Sequence, residues 1–120
     1  MTDINDVIVA LKDNNYIVNT KAQEKQLLSK DEVVIVVNEI KINVETTKTY
    51  IMTSSYTIMW NEKDTLDIAP SIKTIIEDIE NNVNPLPSNF KFTTPTIELL
   101  GVVYNVKMKL EYDEVITIGS

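Results

Sequence analysis

The side chains of this chain that could do chemistry are carboxylates lying close together in the sequence. They form two adjacent pairs and one short cluster: Asp31 and Glu32, Asp113 and Glu114, and Glu77, Asp78 and Glu80. Hard cations such as Ca²⁺ prefer carboxylate oxygens, but a calcium loop also needs regular spacing and a central glycine. None of the three groups has that pattern. We therefore expect no metal site, and we interpret the 77–80 cluster as an acidic helix face exposed to solvent.

Two residue types that often drive catalysis, histidine and cysteine, are missing. The sequence has no histidine and no cysteine, and it has only two glycines. A serine nucleophile would lack its usual base, and a phosphate group would lack a glycine-rich loop. Ser29 and Lys30 are adjacent, and we interpret them as part of a solvated loop rather than as a catalytic pair. We expect no enzymatic activity and no cofactor.

Composition predicts a small acidic protein with its own hydrophobic core. The 120 residues are 43% hydrophobic and 24% charged, which fits one domain over residues 1–120. The formal charge of −7 argues against a general affinity for nucleic acid backbones, which requires clustered Lys and Arg. The sequence has neither the pattern of a signal peptide nor an apolar run of the roughly 18 residues that a membrane helix needs. We expect the protein to be made in the cytoplasm, without a membrane association.

Apolar residues at helical spacing predict two helices that would position these carboxylates. The first, with Asp3 as its N-cap, has an apolar face formed by Ile4, Val7, Ile8 and Leu11. The second covers residues 67–83, with Asp67 as its N-cap and Pro70 in its first turn. Its apolar stripe is formed by Ile68, Ile72, Ile75, Ile76, Ile79 and Val83. Both helices therefore have one face suited to packing on a sheet.

Alternating apolar residues predict four strands. They cover residues 33–45, 49–60, 89–100 and 102–112. The first two form an antiparallel hairpin, and Ile40, Ile42 and Val44 in the first of them are predicted to face the core. Pro95 predicts a bulge or bend in the third strand. Asp113–Glu114 is predicted to interrupt the short apolar tail that follows the fourth strand.

The predicted element order is α-β-β-α-β-β. Two amphipathic helices and an antiparallel sheet with one polar face predict an α+β fold, a two-layer sandwich with both helices on one face of the sheet. The polar stretch Asn19–Glu32 is predicted to be a long loop. Loops of that length are often functional, and lysine-rich loops often become ordered on binding.

Several apolar residues lie outside the predicted core. They are Ile51 and Met59 on the polar side of the second strand, Val103 on that of the last strand, and Leu27 and Leu28 in the loop. The run Val33–Val37 also needs cover on both faces. Trp60 has core parity, and an interface anchor is its alternative role. Because one two-layer monomer would not hide all this apolar surface, we expect a protein partner, with a second copy of the chain as a candidate.

This pattern resembles the tail terminator, or tail-completion, proteins of tailed bacteriophages. The resemblance is carried by the N-terminal helix, the hairpin that ends in Tyr56-Thr57-Ile58-Met59-Trp60, the helix Asp67–Val83 and the closing strand Val102–Tyr112. It covers nearly the whole chain and concerns architecture and hydrophobic pattern. The loop at Asn19–Glu32 and the break at Pro95 depart from it.

The resemblance implies a non-enzymatic component of the virion. Such proteins form a hexameric ring that caps the finished tail tube, stops its polymerisation and joins the tail to the head. The implied partners are other copies of the chain, the tail tube protein and the head-completion or connector protein. DNA passes through the ring without specific binding, and negative charge along the channel would reduce sticking of DNA. The resemblance assigns no role to any single residue.

Two other functions fit the same sequence. A small acidic binding module, such as an inhibitor that mimics DNA and occupies a basic groove, would use the acidic face at Glu77, Asp78 and Glu80. Another tail or baseplate component of a contractile apparatus would share the expected assembly surfaces. Charge reversals on the acidic face should abolish inhibition by a DNA mimic but should affect a ring only mildly.

Overall fold

A computed structural model describes residues 4–21, 28–82, 90–93 and 95–118 of the chain. Within these residues there are two helices, α1 (Ile4–Asp13) and α2 (Thr65–Asn82). The strands are β1 (Ile17–Asn19), β2 (Glu32–Val44), β3 (Thr49–Glu62), β4 (Lys91–Phe92), β5 (Thr96–Leu100) and β6 (Val103–Thr117). They form one sheet in the order β1-β2-β3-β6-β4, and β5 also pairs with β6.

The predicted α+β fold, with both helices on one face of the sheet, is confirmed. Directly opposed residues of antiparallel strands share a face, so Ile35, Ile58 and Met108 lie side by side in one row. This row and its neighbours pack against the apolar faces of both helices, including Leu11 of α1 and Ile79 of α2. We call this side of the sheet the helix side and the opposite side the back. Trp60 is 3% exposed on the helix side, so its assignment to the core is confirmed.

The hairpin and the closing strand are longer than predicted. β3 continues two residues past Trp60, to Glu62. β6 continues through Asp113 and Glu114 to Thr117, so the prediction that this acidic pair separates the strand from the apolar tail is wrong. Both residues remain in the strand because they pair with Thr53 and Met52 of β3. Val102, the first residue of the predicted strand 102–112, instead lies exposed in the turn before β6, where Gly101 has a φ of +66°.

The predicted third strand is two short strands. β4 and β5 pair with different parts of β6, and Pro95 lies between them, as its backbone restrictions predict. Phe90, just before β4, is buried, and its ring stacks on Tyr112 with a centroid distance of 4.9 Å. The break therefore changes the strand pairing but keeps one aromatic anchor in the core.

β1 was not predicted, and it makes the sheet mixed rather than purely antiparallel. It pairs in parallel with the start of β2, with Val18 opposite Val33. Three residues are too short for a hydrophobic period to reveal a strand. β1 includes the first residue of the predicted loop Asn19–Glu32, and residues 22–27 of that loop lie outside the described residues.

The second helix begins two residues earlier than predicted. Asp64, not Asp67, is its N-cap, because the Asp64 Oδ1 accepts a hydrogen bond of 2.9 Å from the Leu66 N–H. Asp67 lies in the first turn, and Pro70 lies deeper in the helix than predicted. The predicted N-cap of α1, Asp3, and the last residue of the predicted α2 stripe, Val83, lie outside the described residues.

Candidate functional site

The three central strands extend well beyond the helices. At the usual rise per residue, the 14 residues of β3 span roughly 46 Å, whereas the 18 residues of α2 span roughly 27 Å. The protein is accordingly elongated, with extents of 54 × 27 × 22 Å. Its radius of gyration is 15.8 Å, against roughly 14 Å for a compact chain of this length. We call the projecting part, residues 37–44 of β2, 49–55 of β3 and 112–117 of β6, the arm.

The helix side of the arm is apolar and largely uncovered. The strand register places Ile40, Ile42 and Val44 of β2 on the same side as the core residues, beside Met52 and Tyr50 of β3. The exposed fractions of Val37, Ile40, Ile42 and Val44 lie between 51% and 67%. Ile40, Ile42 and Val44 therefore lie on the predicted side of the sheet, but the prediction that they are part of the core is wrong, because they are exposed. The helices end before they reach these residues.

The outer edge of β2 in the arm is open among the described residues. β1 pairs with β2 only at Glu32, Val33 and Val34, and β3 occupies the other edge. A β-bulge lies between Val37 and Glu39, and such irregularities often limit pairing at sheet edges. The open stretch that follows carries Ile40, Lys41 and Ile42. An exposed edge with apolar side chains is a site for strand pairing with another chain.

β5 forms a second open edge on the opposite side of the sheet. It pairs with β6, and within the described residues no strand covers its other side. Ile97 and Leu99 lie on the helix side, in register with Val106 and Tyr104, and both are about half exposed. We call Ile97 and Leu99 the edge patch. Within the described residues, an exposed apolar surface thus lies at each of these two edges of the sheet.

A shallow apolar groove runs along α2. It is lined by Ala69, Ile72, Lys73, Ile76, Glu77 and Glu80. Helical spacing places Ile72 and Ile76 on the side of α2 away from Asp78, and Asp78 interacts with Tyr16 next to β1. The groove therefore lies on the side of α2 that is turned away from Tyr16 and β1.

A polar cleft of about 210 Å³ lies at the other side of α2. Tyr16, Asp31, Glu62 and Ser71 line it. Burial raises the pKa of the Tyr16 hydroxyl to about 12, and the neighbouring Asp78 adds to this shift. Burial also raises the pKa of the Glu62 carboxyl, and the nearby Ser71 hydroxyl partly offsets this shift. The described residues contain no group of three or more His, Cys, Asp or Glu side chains that could hold a metal ion.

Ser71 connects this cleft to the core. Its Oγ accepts a hydrogen bond of 3.1 Å from the Trp60 Nε1–H and donates one of 2.9 Å to the Ile68 carbonyl. We expect Ser71→Ala to lower the free energy of unfolding by about 1 to 2 kcal/mol, since the buried indole N–H would lose its partner. Thr74→Ala, at an exposed position on the same helix, is the matched control and should change it by less than about 0.5 kcal/mol. Urea denaturation measures both, and equal losses would contradict this role of Ser71.

The predicted interface residues lie apart from one another. Ile51 and Val103 are half-buried on the back of the sheet, and Leu28 is half-buried with its N–H donated to the Asn61 Oδ1. Met59 is only 8% exposed, so its side chain is unavailable as an interface. Met59 lies opposite Val34, and both side chains are buried on the back of the sheet. The apolar run Val33–Val37 predicted cover on both faces, and at Val34 the back face is indeed covered. Leu27 lies outside the described residues.

The predicted acidic face is divided between two sides of α2. Glu77 and Glu80 are exposed beside the apolar groove, and the Glu77 Oε1 lies 3.9 Å from the Lys73 Nζ. Asp78 points the other way and is half-buried against Tyr16. The three carboxylates therefore do not form one continuous surface.

The remaining candidates for chemistry have structural positions. Asp31 has a φ of +62° in the turn before β2, and the Ser29 N–H donates to the Glu32 Oε1 at 2.9 Å. Asp113 and Glu114 are consecutive residues of β6 and so point to opposite faces of the sheet. Neither pair converges on a common point.

The apolar arm and the edge patch are the surfaces that sequence reasoning missed. Alternation correctly placed Ile40, Ile42 and Val44 on one side, but parity alone does not show whether that side is covered. Strand length carried the missing signal, because a hairpin of 13 and 14 residues is longer than either helix can cover.

Comparison with models of known protein families finds no match, and comparison with curated proteins finds none either. Among the described residues, no helix is both long and apolar enough to cross a bilayer.

Proposed function

We propose that this chain is a non-enzymatic structural protein of a tailed-phage virion, a tail terminator or tail-completion protein. It forms a ring that caps the tail tube and joins the tail to the head. The observation that carries the proposal is the arm, whose helix side exposes Val37, Ile40, Ile42 and Val44 to more than half of their area. A monomeric protein rarely leaves so continuous an apolar surface uncovered, and such surfaces usually mark contacts with other proteins.

Two separate apolar surfaces favour a ring over a dimer. A two-fold dimer in which one edge pairs with the same edge of its copy would cover the arm or the edge patch and leave the other one open. In a head-to-tail contact the arm of one copy meets the edge patch of the next. Such contacts repeat, and they close into a ring when the rotation between copies allows it. The resemblance to tail terminators supplies the expected number of six copies.

The other parts of the proposal follow from charge and residue types. With a formal charge of −7, copies lining a channel would repel DNA and let it pass without specific binding. A chain without histidine or cysteine lacks the commonest groups for acid–base and thiol chemistry, which supports a structural role. The further partners are the tail tube protein and the head-completion or connector protein. The protein is made in the host cytoplasm and is located at the head–tail junction of the virion.

Tail tubes assembled in vitro from the cognate tube protein test this proposal. We expect the purified protein to bind at one end of each tube, visible by negative-stain microscopy, and to stop further elongation when it is present at a few copies per tube. Bovine serum albumin at the same concentration is the control for nonspecific adsorption. Failure to bind tubes, by a protein that also stays monomeric, would contradict the proposal.

A further inference from the structure

We propose that β2 of one copy pairs antiparallel with β5 of the next copy, with Ile42 opposite Ile97, Lys41 opposite Glu98 and Ile40 opposite Leu99. The two open edges would thereby join the sheets of neighbouring subunits into one. This inference rests on the proposed ring, because it identifies the contact that repeats around it. The occupant of the arm is therefore a second copy of this chain.

The strand order places the two edges correctly for such a contact. β2 and β5 lie toward opposite ends of the strand order, so the β5 edge of one sheet can meet the β2 edge of the next. β2, β3, β6 and β5 are successively antiparallel. β2 and β5 consequently run in opposite directions, and two copies with the same orientation of their sheets would form an antiparallel pair. Their helices would then lie on the same side of the joined sheet.

The side chains of the two strands match in that register. On the helix side, Ile42 and Ile40 would face Ile97 and Leu99, so the exposed apolar residues of the two edges cover each other. Cross-strand apolar pairs of this kind are a main source of sheet stability.

The charges of the back face select the same register. Lys41 is opposite Thr53 on the back of the arm, and Glu98 is opposite Asn105 on the back of the sheet edge. Antiparallel pairing of Ile42 with Ile97 makes Lys41 and Glu98 direct neighbours of opposite charge. A shift by two residues that places Ile40 opposite Ile97 would instead bring Glu98 opposite Glu39. Like charges directly opposite each other destabilise a strand pair.

The contact also fits the space that each edge leaves. In the part of the chain that the structure describes, β1 covers β2 only up to Val34, which leaves residues 39–43 open to a strand of five residues. In this register the next copy is displaced by about eight residues, or roughly 26 Å, along the strands. A closed sheet requires such a stagger, because its strands are inclined to the axis of closure.

Cysteine cross-linking tests the contact directly, because the natural chain contains no cysteine. We would prepare Ile42→Cys and Ile97→Cys as separate variants and oxidise each alone and in a mixture. A head-to-tail contact predicts disulfide-linked dimers only in the mixture, since each interface needs one arm and one edge. Directly opposed residues of an antiparallel pair are close enough for a disulfide. Lys41→Cys mixed with Ile97→Cys is the matched control, because the two side chains would lie on opposite faces.

The outcomes separate this contact from the proposed function when the same samples are imaged. Rings without the Ile42–Ile97 cross-link would overturn the contact and leave the ring standing. Cross-linked chains that never close would support the contact and contradict the ring. Cross-linking of either variant alone would show a two-fold contact and overturn the inference. Absence of both rings and cross-links, in variants that keep the wild-type circular dichroism spectrum, would overturn both.

A charge swap gives a second, independent reading of the register. We expect Lys41→Glu or Glu98→Lys alone to raise the midpoint concentration of assembly about tenfold, because each creates a like-charge pair. The double variant Lys41→Glu/Glu98→Lys should return the midpoint to within about threefold of the wild type. Sedimentation velocity across a concentration series measures this. Additive losses in the double variant would overturn the register.

Discussion

Ile58→Ala should lower the free energy of unfolding by about 3 to 4 kcal/mol, whereas Ile42→Ala should lower it by less than about 1 kcal/mol. Both residues are isoleucines in the same hairpin and on the helix side of the sheet. The Ile58 side chain is fully buried in the core that the sheet and the helices form, so its truncation leaves a cavity. Ile42 is 61% exposed on the arm, so its truncation removes little buried area.

Urea denaturation at a protein concentration where the chain is monomeric measures this difference. Circular dichroism follows the helices and strands, and fluorescence of Trp60, the one tryptophan in the sequence, follows the core. The denaturant dependence of the free energy should be the same for both variants. Equal losses of stability would contradict the description of the arm, because they would mean that Ile42 is packed within the monomer.

Ile42→Asp should abolish self-assembly while it leaves the fold intact. An aspartate in the centre of the arm would bury an unpaired charge at every contact between copies, and that cost is far larger than the loss of one apolar side chain. We expect the midpoint concentration of assembly to rise at least about 100-fold, which corresponds to about 2.7 kcal/mol per contact. The monomer should unfold at nearly the wild-type urea concentration.

Val9→Asp is the matched control for this variant. Val9 is also an apolar residue that is about half exposed, but it lies on α1, which contributes no residue to the arm or the edge patch. The same chemical change there should leave the midpoint of assembly within about threefold of the wild type. If the two variants assembled equally well, or equally badly, the arm would not be the assembly surface.

Much of the fold could be predicted because its periodic signals are long. The apolar stripe of α2, the hairpin of β2 and β3, and the inward residues of β6 from Tyr104 to Tyr112 agree with the structure. Each of these elements has one face that is buried over several helical turns or several residue pairs. The spacing of the apolar residues therefore identifies both the element and its buried face. The pairing of β1 with β2 could not be predicted, because three residues carry no period and parallel pairing depends on tertiary contacts.

The candidate site was harder to predict for a different physical reason. Met59 was expected at an interface, but it is buried on the back of the sheet. Strand parity predicts which face a side chain is on, but it does not predict whether that face is buried. Ile40 and Ile42 were expected in the core, although they lie on the correct side of the sheet beyond the ends of the helices. Whether an apolar face is buried depends on the relative lengths of the two layers, and this relation appears only when the elements are assembled.

The arm and the edge patch are expected to join copies of this chain into a closed ring. Mass photometry over a concentration series, with negative-stain images of the same samples, tests it most directly. We predict one dominant assembly with about six times the mass of the monomer, the ring size that the resemblance to tail terminators implies, and its mass should not grow further with concentration, since a closed ring has no free contact. A monomer at every concentration, including in the presence of tail tubes, would contradict the claim and would favour the acidic binding module instead.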